Sequence, residues 1–258
     1  MGEFEVVGTE GLQGASRALV LCEHASHVFP PYFGTLGLSE EDRLSHVAWD
    51  PGALDLARAL AVHLAAPLVA GRVSRLLYDC NRPPEAASAI PERSENTDIP
   101  GNRGLGPEAR AERVDRIYRP FCAEVERVSA AARPLALITM HSFTPVYFGQ
   151  RRDVEIGILH DDDSRLADAV LAEAGPDAPY DIRRNAPYGP ADGVTHSLKK
   201  HGMERGIASV MIEVRNDLLA TPEGIERVSA WLNPLVARAL DATLPSLPAQ
   251  MAPAREVR

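Results

Sequence analysis

Three short apolar runs of this chain each end in side chains that can bind a metal ion or accept a proton. The runs cover residues 18–22, 135–140 and 207–212, and the side chains that follow them are Glu23 and His24, His141, and Glu213. Each run is short enough to form a buried strand, and sites assemble where the carboxyl ends of parallel strands meet in an open α/β sheet. Two histidines and a carboxylate at such an edge are typical of a metal site with a general base beside it.

The candidates in the second and third runs each have a structural alternative. His141 is either a core histidine that hydrogen-bonds to a neighbour or a metal ligand, and its position alone does not decide between them. Glu213 is harder to explain as ordinary structure, because a carboxylate that ends a buried strand must be paired or functional. Arg215 could pair with it in a plain salt bridge, so both roles stay open for Glu213.

Two further segments, residues 23–27 and 46–50, contain several side chains that can bind a metal ion. Glu23 lies beside His24, and His27 follows three residues on, so both histidines could bind zinc if the loop turns. Asp50 precedes a Pro-Gly pair and is therefore predicted to cap a helix that starts there. It could equally supply the carboxylate of a site with two histidines, and His46, four residues earlier, could share that site.

Two Asn-Arg pairs are candidates for holding a substrate. Asn81 and Arg82 follow a predicted strand at 75–78, and Asn102 and Arg103 lie in a polar segment. A guanidinium matches a carboxylate with two parallel hydrogen bonds, and beside a metal it could also polarise a carbonyl group. Surface solubility is the alternative for most arginines here, and it is weakest for Arg82, which follows its strand directly.

Composition excludes several classes of function. The chain has 258 residues, a formal net charge of −9 and an aromatic content of 5%. Non-specific nucleic-acid binding needs a basic surface, and stacking on bases needs aromatic platforms, so neither is expected. A local arginine cluster still permits a small anionic substrate. No Gly-x-Ser-x-Gly, Gly-x-Gly-x-x-Gly or Walker A sequence is present, so neither a serine hydrolase elbow nor a nucleotide cofactor is supported.

The cysteines and the first residues indicate a location. Cys22, Cys80 and Cys122 form no Cys-x-x-Cys pair and no even disulfide framework, which is typical of a reducing compartment. The amino-terminal residues have neither a basic nor an apolar region of a signal peptide, and no apolar stretch is long enough for a membrane helix. We therefore expect a cytoplasmic protein that does not enter membranes.

The elements that must position these residues alternate between strands and helices. Strands are predicted at 18–23, 67–70, 75–78, 135–140, 156–159 and 208–214. Helices are predicted from 39 and from 51, and at 107–132, 164–175, 195–202 and 221–240. This order predicts an α/β three-layer sandwich with a mostly parallel, mixed central sheet. One domain is expected over residues 1–247, with a frayed tail at 248–258.

Six segments in chain order resemble the N-formylglutamate amidohydrolase family over about residues 15–240. They are Cys22-Glu23-His24-Ala25-Ser26, Ala48-Trp49-Asp50-Pro51-Gly52-Ala53, Asp79-Cys80-Asn81-Arg82, Ile99-Pro100-Gly101-Asn102-Arg103, His141-Ser142-Phe143 and Asp192-Gly193-Val194-Thr195-His196. A more distant likeness to zinc carboxypeptidases covers the Asn-Arg pair, the His-Ser-aromatic run and the run 213–216. The chain departs from the carboxypeptidase His-x-x-Glu motif, since its first histidine is followed by Ala-Ser-His. Asp50 is our substitute for the missing carboxylate ligand, with His27 or Glu23 as alternatives.

The resemblance implies a phosphorylase/hydrolase-like, zinc carboxypeptidase-like fold and a metal-dependent amidohydrolase. Such an enzyme would cleave the amide of an N-formyl or N-acyl amino acid, such as N-formylglutamate in histidine degradation. It implies zinc on His24, Asp50 and His141, with Glu213 as the general base and Arg82 stabilising the oxyanion or holding the substrate. The implied substrate-binding residues are Asn81, Arg103, Ser142 and His196. Two alternatives stay open: a metallohydrolase of another amide or small peptide, and a non-enzymatic binder of anionic ligands.

Overall fold

A seven-stranded mixed sheet lies at the centre of the protein, in a computed structural model that describes residues 7–245. The strands are β1 (Val7–Glu10), β2 (Ala18–Cys22), β3 (Leu68–Gly71), β4 (Arg93–Ser94), β5 (Thr97–Asp98), β6 (Ala136–Phe143), β7 (Val146–Tyr147), β8 (Gln150–Arg151), β9 (Ile156–Leu159), β10 (Ile182–Arg184) and β11 (Ala208–Arg215). The α-helices are α1 (Glu40–Leu44), α2 (Ala53–Leu64), α3 (Pro107–Arg113), α4 (Arg119–Ala132), α5 (Arg165–Ala174) and α6 (Pro222–Thr243). The predicted tail at 248–258 lies outside the described residues.

The order of strands in the central sheet is β1-β3-β2-β6-β11-β9-β10. The four strands β3, β2, β6 and β11 run parallel to one another. β1 pairs antiparallel with β3, while β9 pairs antiparallel with β11 and parallel with β10. The prediction of a mostly parallel, mixed sheet is therefore confirmed.

Both faces of the sheet are covered, which makes the fold a three-layer sandwich as predicted. All five residues of β2 are buried, and their side chains alternate between two apolar clusters. Val20 packs in a cluster with α2, α5 and α6, and Leu21 packs in a cluster with α4 on the opposite face. A strand covered on both faces has to be apolar throughout, which explains why these runs show no polar alternation.

The chain reverses its direction of winding between β2 and β6. From β2 it crosses through α2 to β3 on one side, whereas β6 lies on the other side of β2. Neighbouring crossovers therefore diverge at the carboxyl ends of β2 and β6 and leave a crevice there. Within residues 7–245, no helix is both long enough and apolar enough to cross a membrane.

Three predicted local structures differ from those observed. Residues 75–77 form a turn, although a strand was predicted there, because Leu77 N bonds back to Ser74 O at 3.0 Å. The predicted helix at 107–132 is α3 and α4 joined by a π-helical turn at Val114–Tyr118. β4 and β5 form a hairpin before Asn102 and Arg103, where no strand was predicted, and β1 and β10 extend the central sheet beyond the predicted strands.

Candidate active site

The three apolar runs form adjacent strands whose carboxyl ends meet. β2, β6 and β11 are neighbours in the sheet, and His24 lies two residues beyond the last residue of β2. His141 and Glu213 are directly paired across β6 and β11, so both side chains lie on the same face of the sheet. Strand order and register thus bring together the side chains that the sequence pattern singled out.

Two histidines and an aspartate point their ligand atoms at one another in the crevice. His24, Asp50 and His141 are buried, and their ligand atoms all lie within 4.8 Å of one another. Asp50 Oδ2 is 2.9 Å from His141 Nδ1 and 3.3 Å from His24 Nδ1, and the two Nδ1 atoms are 3.2 Å apart. Two ring nitrogens facing each other at this distance need a proton or a cation between them. The arrangement is therefore suited to a metal ion.

A carboxylate lies behind each histidine. Asp79 Oδ1 is 2.7 Å from His24 Nε2, and Glu23 Oε2 is 3.1 Å from His141 Nε2. Asp79 hydrogen-bonds to Nε2 of His24, and Glu23 lies in ion-pair range of Nε2 of His141. Carboxylates in these places favour a proton on Nε2 and leave the Nδ1 lone pair directed inward, as is usual for metal-binding histidines. Glu23, an alternative ligand from the sequence, thus lies behind His141 and does not face the centre.

Asp50 is placed by its backbone, and the prediction that it caps a helix is wrong. Its N–H donates to His24 O at 2.9 Å, and α2 begins later, with Gly52 as its N-cap. The carboxylate is consequently free to face the two histidines and to accept from Ser142 N at 3.3 Å. Arg75 Nη1 contacts its second oxygen at 3.2 Å.

Arg75 is a site residue that sequence reasoning missed. Its guanidinium bridges Asp50 and Asp79, with Nη2 at 3.0 Å from Asp79 Oδ2. The signal in the sequence is a single charge inside an apolar stretch, Val73-Ser-Arg-Leu-Leu-Tyr78, whose apolar residues are buried. A half-buried charge of this kind is usually paired, and here it compensates two of the carboxylates around the centre.

The electrostatic balance of the crevice favours positive charge at its centre. Burial raises the pKa of Asp50 and Asp79, but the neighbouring histidines and Arg75 outweigh it and hold both pKa values below their usual range. Burial lowers the pKa of His141, yet Glu23 and Asp50 raise it well above its usual value. The carboxylates therefore stay ionised at neutral pH and attract either protons or a cation to the Nδ1 atoms.

Glu213 is a buried carboxylate without a partner. Among residues 7–245 it makes neither a hydrogen bond nor an ion pair. Arg215 does not pair with it: its guanidinium contacts Glu155 at 3.2 Å and Asp217 at 2.8 Å. Burial, helped by the charge of Asp50, raises the pKa of Glu213 to about 7, although the histidines and Arg75 oppose the shift. A carboxylate with a pKa near neutrality can both accept and return a proton.

Three predicted substrate-binding or catalytic residues line the crevice beside the histidines: Asn81, Arg82 and Ser142. Arg82 Nη1 donates to Asn81 O at 2.9 Å, and within the described chain its guanidinium has no carboxylate partner. Asn81 ties a neighbouring segment to the site, because its amide donates to Val194 O at 2.6 Å and accepts from Ser197 N at 2.9 Å. Ser142 Oγ donates to a backbone carbonyl at 2.8 Å.

Two other predicted substrate contacts lie outside the crevice. Arg103 is exposed and pairs with Asp98 at 2.7 Å. His196 lies 2.8 Å from the hydroxyl of Tyr118, and its pKa is lowered by burial. Neither side chain lines the cavity. Both residues entered the prediction through the family resemblance, but their side chains are engaged by Asp98 and Tyr118.

The remaining histidine candidates are placed apart from the metal-type cluster. His27 packs edge-on against Trp49 with ring centroids 4.9 Å apart, and it does not line the cavity. His46 does line it, but its Nε2 pairs with Glu95 at 2.8 Å. His27 is therefore not brought to the centre as a replacement for Asp50.

The crevice opens into a cavity of about 530 Å³ lined by the histidines, Glu213 and three arginines. The arginines are Arg75, Arg82 and Arg152. This volume lies within the range of small-molecule sites. The arrangement combines a cluster that could hold a cation, an unpaired carboxylate and guanidinium groups in one cavity.

Comparisons with known proteins show the family and the fold. Residues 16–220 match the family model described as N-formylglutamate amidohydrolase. A solved structure of a gene product from Agrobacterium tumefaciens is 49% identical, with a TM-score of 0.89 over 93% of this chain and 96% of that chain. The structure of an N-formylglutamate amidohydrolase from Ralstonia eutropha shares the fold at 21% identity, with a TM-score of 0.63 over 92% of this chain and 98% of that chain. No curated protein sequence matches the chain.

Proposed function

Since the chain belongs to the N-formylglutamate amidohydrolase family, we propose that it hydrolyses the amide of an N-formyl or N-acyl amino acid, such as N-formylglutamate, with the help of zinc. Membership of this family makes the protein a hydrolase of carbon–nitrogen bonds other than peptide bonds. The observation that carries the proposal is the cluster of His24, Asp50 and His141 beside the unpaired carboxylate of Glu213.

The residues around the centre fit a zinc ion. Two imidazoles and one carboxylate form a common ligand set of catalytic zinc, with a position left for water or substrate. Three carboxylates with lowered pKa values, Glu23, Asp50 and Asp79, surround the centre, and one guanidinium, that of Arg75, compensates them. A divalent cation would offset the remaining negative charge. When bound, zinc would supply a Lewis acid that polarises the substrate carbonyl and acidifies water.

Glu213 is the residue we assign to proton transfer. It lies beside His141 on the neighbouring strand, and its carboxylate has no competing partner among the residues described. It would accept a proton from the attacking water and return that proton to the nitrogen of the departing amine. Burial raises its pKa towards neutrality, which suits a group that must both accept and return a proton.

Arg82 is the predicted substrate contact whose guanidinium lines the cavity without a carboxylate partner in the described chain, whereas the hydroxyl of Ser142 donates to Pro51 O. The Arg82 guanidinium can donate to the oxyanion that develops on the substrate carbonyl, or to a carboxylate of the substrate. Ser142 lies beside Asp50 and contributes its backbone N–H to orienting that ligand. We assign Asn81 to positioning, since its amide holds the backbone of Val194 and Ser197.

A different N-acyl amino acid or small amide is the second candidate substrate. The cavity of about 530 Å³ is large enough for ligands bulkier than an N-formyl group with a short side chain. A passive anion binder is a weaker proposal, because binding alone gives no reason to bury an unpaired carboxylate such as Glu213. We also infer a cytoplasmic location, which the three buried free cysteines support, and a role in histidine degradation, which rests on N-formylglutamate as the substrate.

Metal analysis and a formate assay test the proposal together. We expect about one zinc per chain in the purified protein and formate release from N-formylglutamate. The His141→Ala variant should lose both, whereas His63→Ala, an exposed histidine on α2, should lose neither. Zinc without formate release would keep the metallohydrolase and require a panel of N-acyl amino acids and short peptides. Absence of metal after reconstitution would overturn the mechanism.

A further inference from the structure

Arg152 extends into the active-site cavity from a hairpin connection and is held there by aromatic rings. Its Cζ lies 4.4 Å from the ring centroid of Tyr147, 4.7 Å from that of Tyr188 and 5.6 Å from that of Phe143. Rings packed this closely restrain a long side chain that would otherwise lose much rotamer freedom on binding a ligand. The guanidinium is therefore already ordered before any ligand arrives.

The guanidinium of Arg152 forms no ion pair with the residues that the structure describes. Within residues 7–245 no carboxylate lies in ion-pair range of its guanidinium, and its side-chain hydrogen bonds go to neutral groups, a long one of 3.4 Å to Thr144 O and one to the phenol of Tyr188. Arg75, by contrast, is engaged by two carboxylates of the centre. Aromatic rings attract a cation to their faces and leave the N–H groups at its edge available for an anion.

Arg152 is electrostatically connected to the catalytic centre through Tyr188. Burial and the negative charge of Glu213 raise the pKa of Tyr188 to about 12, whereas Arg152 lowers it. The phenol therefore lies close to both Glu213 and Arg152. Gly157, which pairs with Glu213 across β11 and β9, allows the segment that carries Tyr188 to pack close to the sheet. A Cβ at Gly157 would lie 2.0 Å from Ala186 O, in the segment that carries Tyr188 into the cavity.

The other acidic groups that line the cavity have partners of their own. Glu95 pairs with His46, and Asp192 accepts from Gly189 N at 2.8 Å. Two guanidinium groups, those of Arg82 and Arg152, therefore face the cavity without a carboxylate partner in the described chain. Two such groups match a substrate with two carboxylates better than a substrate with one.

We propose that Arg152 binds the side-chain carboxylate of an acidic N-acyl amino acid and thereby selects substrates that carry a second negative charge. Arg82 would bind the other carboxylate of the substrate. A carboxylate that approaches the edge of the Arg152 guanidinium can accept two parallel hydrogen bonds, whereas an amide of the same shape offers a single neutral acceptor. The proposal deepens the proposed function and rests on it for the identity of the amide, but the preference for a diacid can be measured without turnover.

Binding of glutarate and of its monoamide, glutaramate, tests the proposal in the zinc-loaded protein. The two compounds have the same shape and differ in one charge, and neither carries the N-acyl group that the enzyme would cleave. Calorimetry should show glutarate binding roughly 10- to 100-fold more tightly than glutaramate, as expected for one charge-assisted contact. In Arg152→Met both compounds should bind with the weaker constant, and Arg152→Lys should recover only part of the preference. Arg151→Met, which removes the exposed neighbouring arginine, should behave like the unaltered protein.

The hydrolysis rates separate failure of this proposal from failure of the proposed function. N-formylglutamate should be preferred over N-formylglutamine in kcat/KM, and Arg152→Met should remove the preference by raising KM for the diacid alone. If neither compound is hydrolysed but glutarate is still preferred through Arg152, the reaction assignment fails and the role of Arg152 stands. Equal binding of glutarate and glutaramate, or a preference that disappears in Arg82→Met and persists in Arg152→Met, would overturn the role of Arg152.

Discussion

Replacing Asp79 with asparagine should weaken zinc binding without removing a ligand. Asp79 Oδ1 holds His24 Nε2 at 2.7 Å and accepts from Asn81 N at 2.9 Å, while Oδ2 pairs with Arg75 at 3.0 Å. In Asp79→Asn the amide oxygen can keep the contacts at Oδ1, but the amide nitrogen then faces the guanidinium and repels it. The change thus removes one charge and one ion pair while the ligand atoms stay in place.

The expected cost is a 10- to 100-fold weaker zinc affinity, because residues that orient metal-binding histidines typically contribute that much. This corresponds to about 1.4–2.8 kcal/mol. Competition with a chromophoric chelator measures the affinity, and kcat per bound zinc should change far less than the dissociation constant. Glu23→Gln, behind His141, should give a similar loss, and Asp98→Asn, at an exposed ion pair, should give none. An unchanged zinc affinity in Asp79→Asn would refute the argument that carboxylates behind the histidines orient them.

Three further outcomes follow from the geometry. Glu213→Gln should retain its zinc by metal analysis but lose about 10²- to 10⁴-fold in kcat, and undiminished turnover would refute its role as the base. His201 is buried, and burial lowers its pKa to about 3, so below its unfolded pKa near 6.5 only the unfolded state gains a proton. Between pH 8 and pH 5, urea unfolding should show the free energy of unfolding of the unaltered protein falling by about 2 kcal/mol more than that of His201→Leu. The same fall in both proteins would contradict this. Arg103→Met should keep kcat/KM within about twofold, since its guanidinium is exposed and pairs with Asp98, and a tenfold loss would restore the predicted substrate contact.

The part of the site that lies on strands could be predicted from the sequence. An apolar run must be buried, its carboxyl end must reach the edge of the sheet, and parallel neighbours bring such ends together. These rules placed His141 and Glu213 side by side, and the observed register pairs the two residues directly. Neither rule depends on knowing which loops connect the strands.

The part of the site that lies on turns and loops could not be predicted in the same way. Asp50 had two equally sound local roles, and the choice depended on the start of α2 beyond Gly52, whose φ of +78° ends the preceding turn. Arg75 was predicted inside a strand, because a buried turn and a buried strand have the same apolar composition. Arg152 gave no local signal, since one of the three rings around it, that of Tyr188, comes from a distant part of the chain.

Members of the family could differ in substrate while they share a reaction, because strands and loops tolerate sequence change to different degrees. Two of the residues proposed for the chemical step, His141 and Glu213, are fixed by the sheet, where a shift of one residue would move every side chain to the other face. The connections around Arg152 and Tyr188 carry no such constraint, because loops tolerate changes in length and sequence. A relative that keeps His24, His141 and Glu213 but changes the segment 144–152 should therefore retain hydrolysis of an amide and lose the preference for a second carboxylate. The side chains shared at the metal-type cluster would then identify the reaction, while the segment 144–152 would identify the substrate.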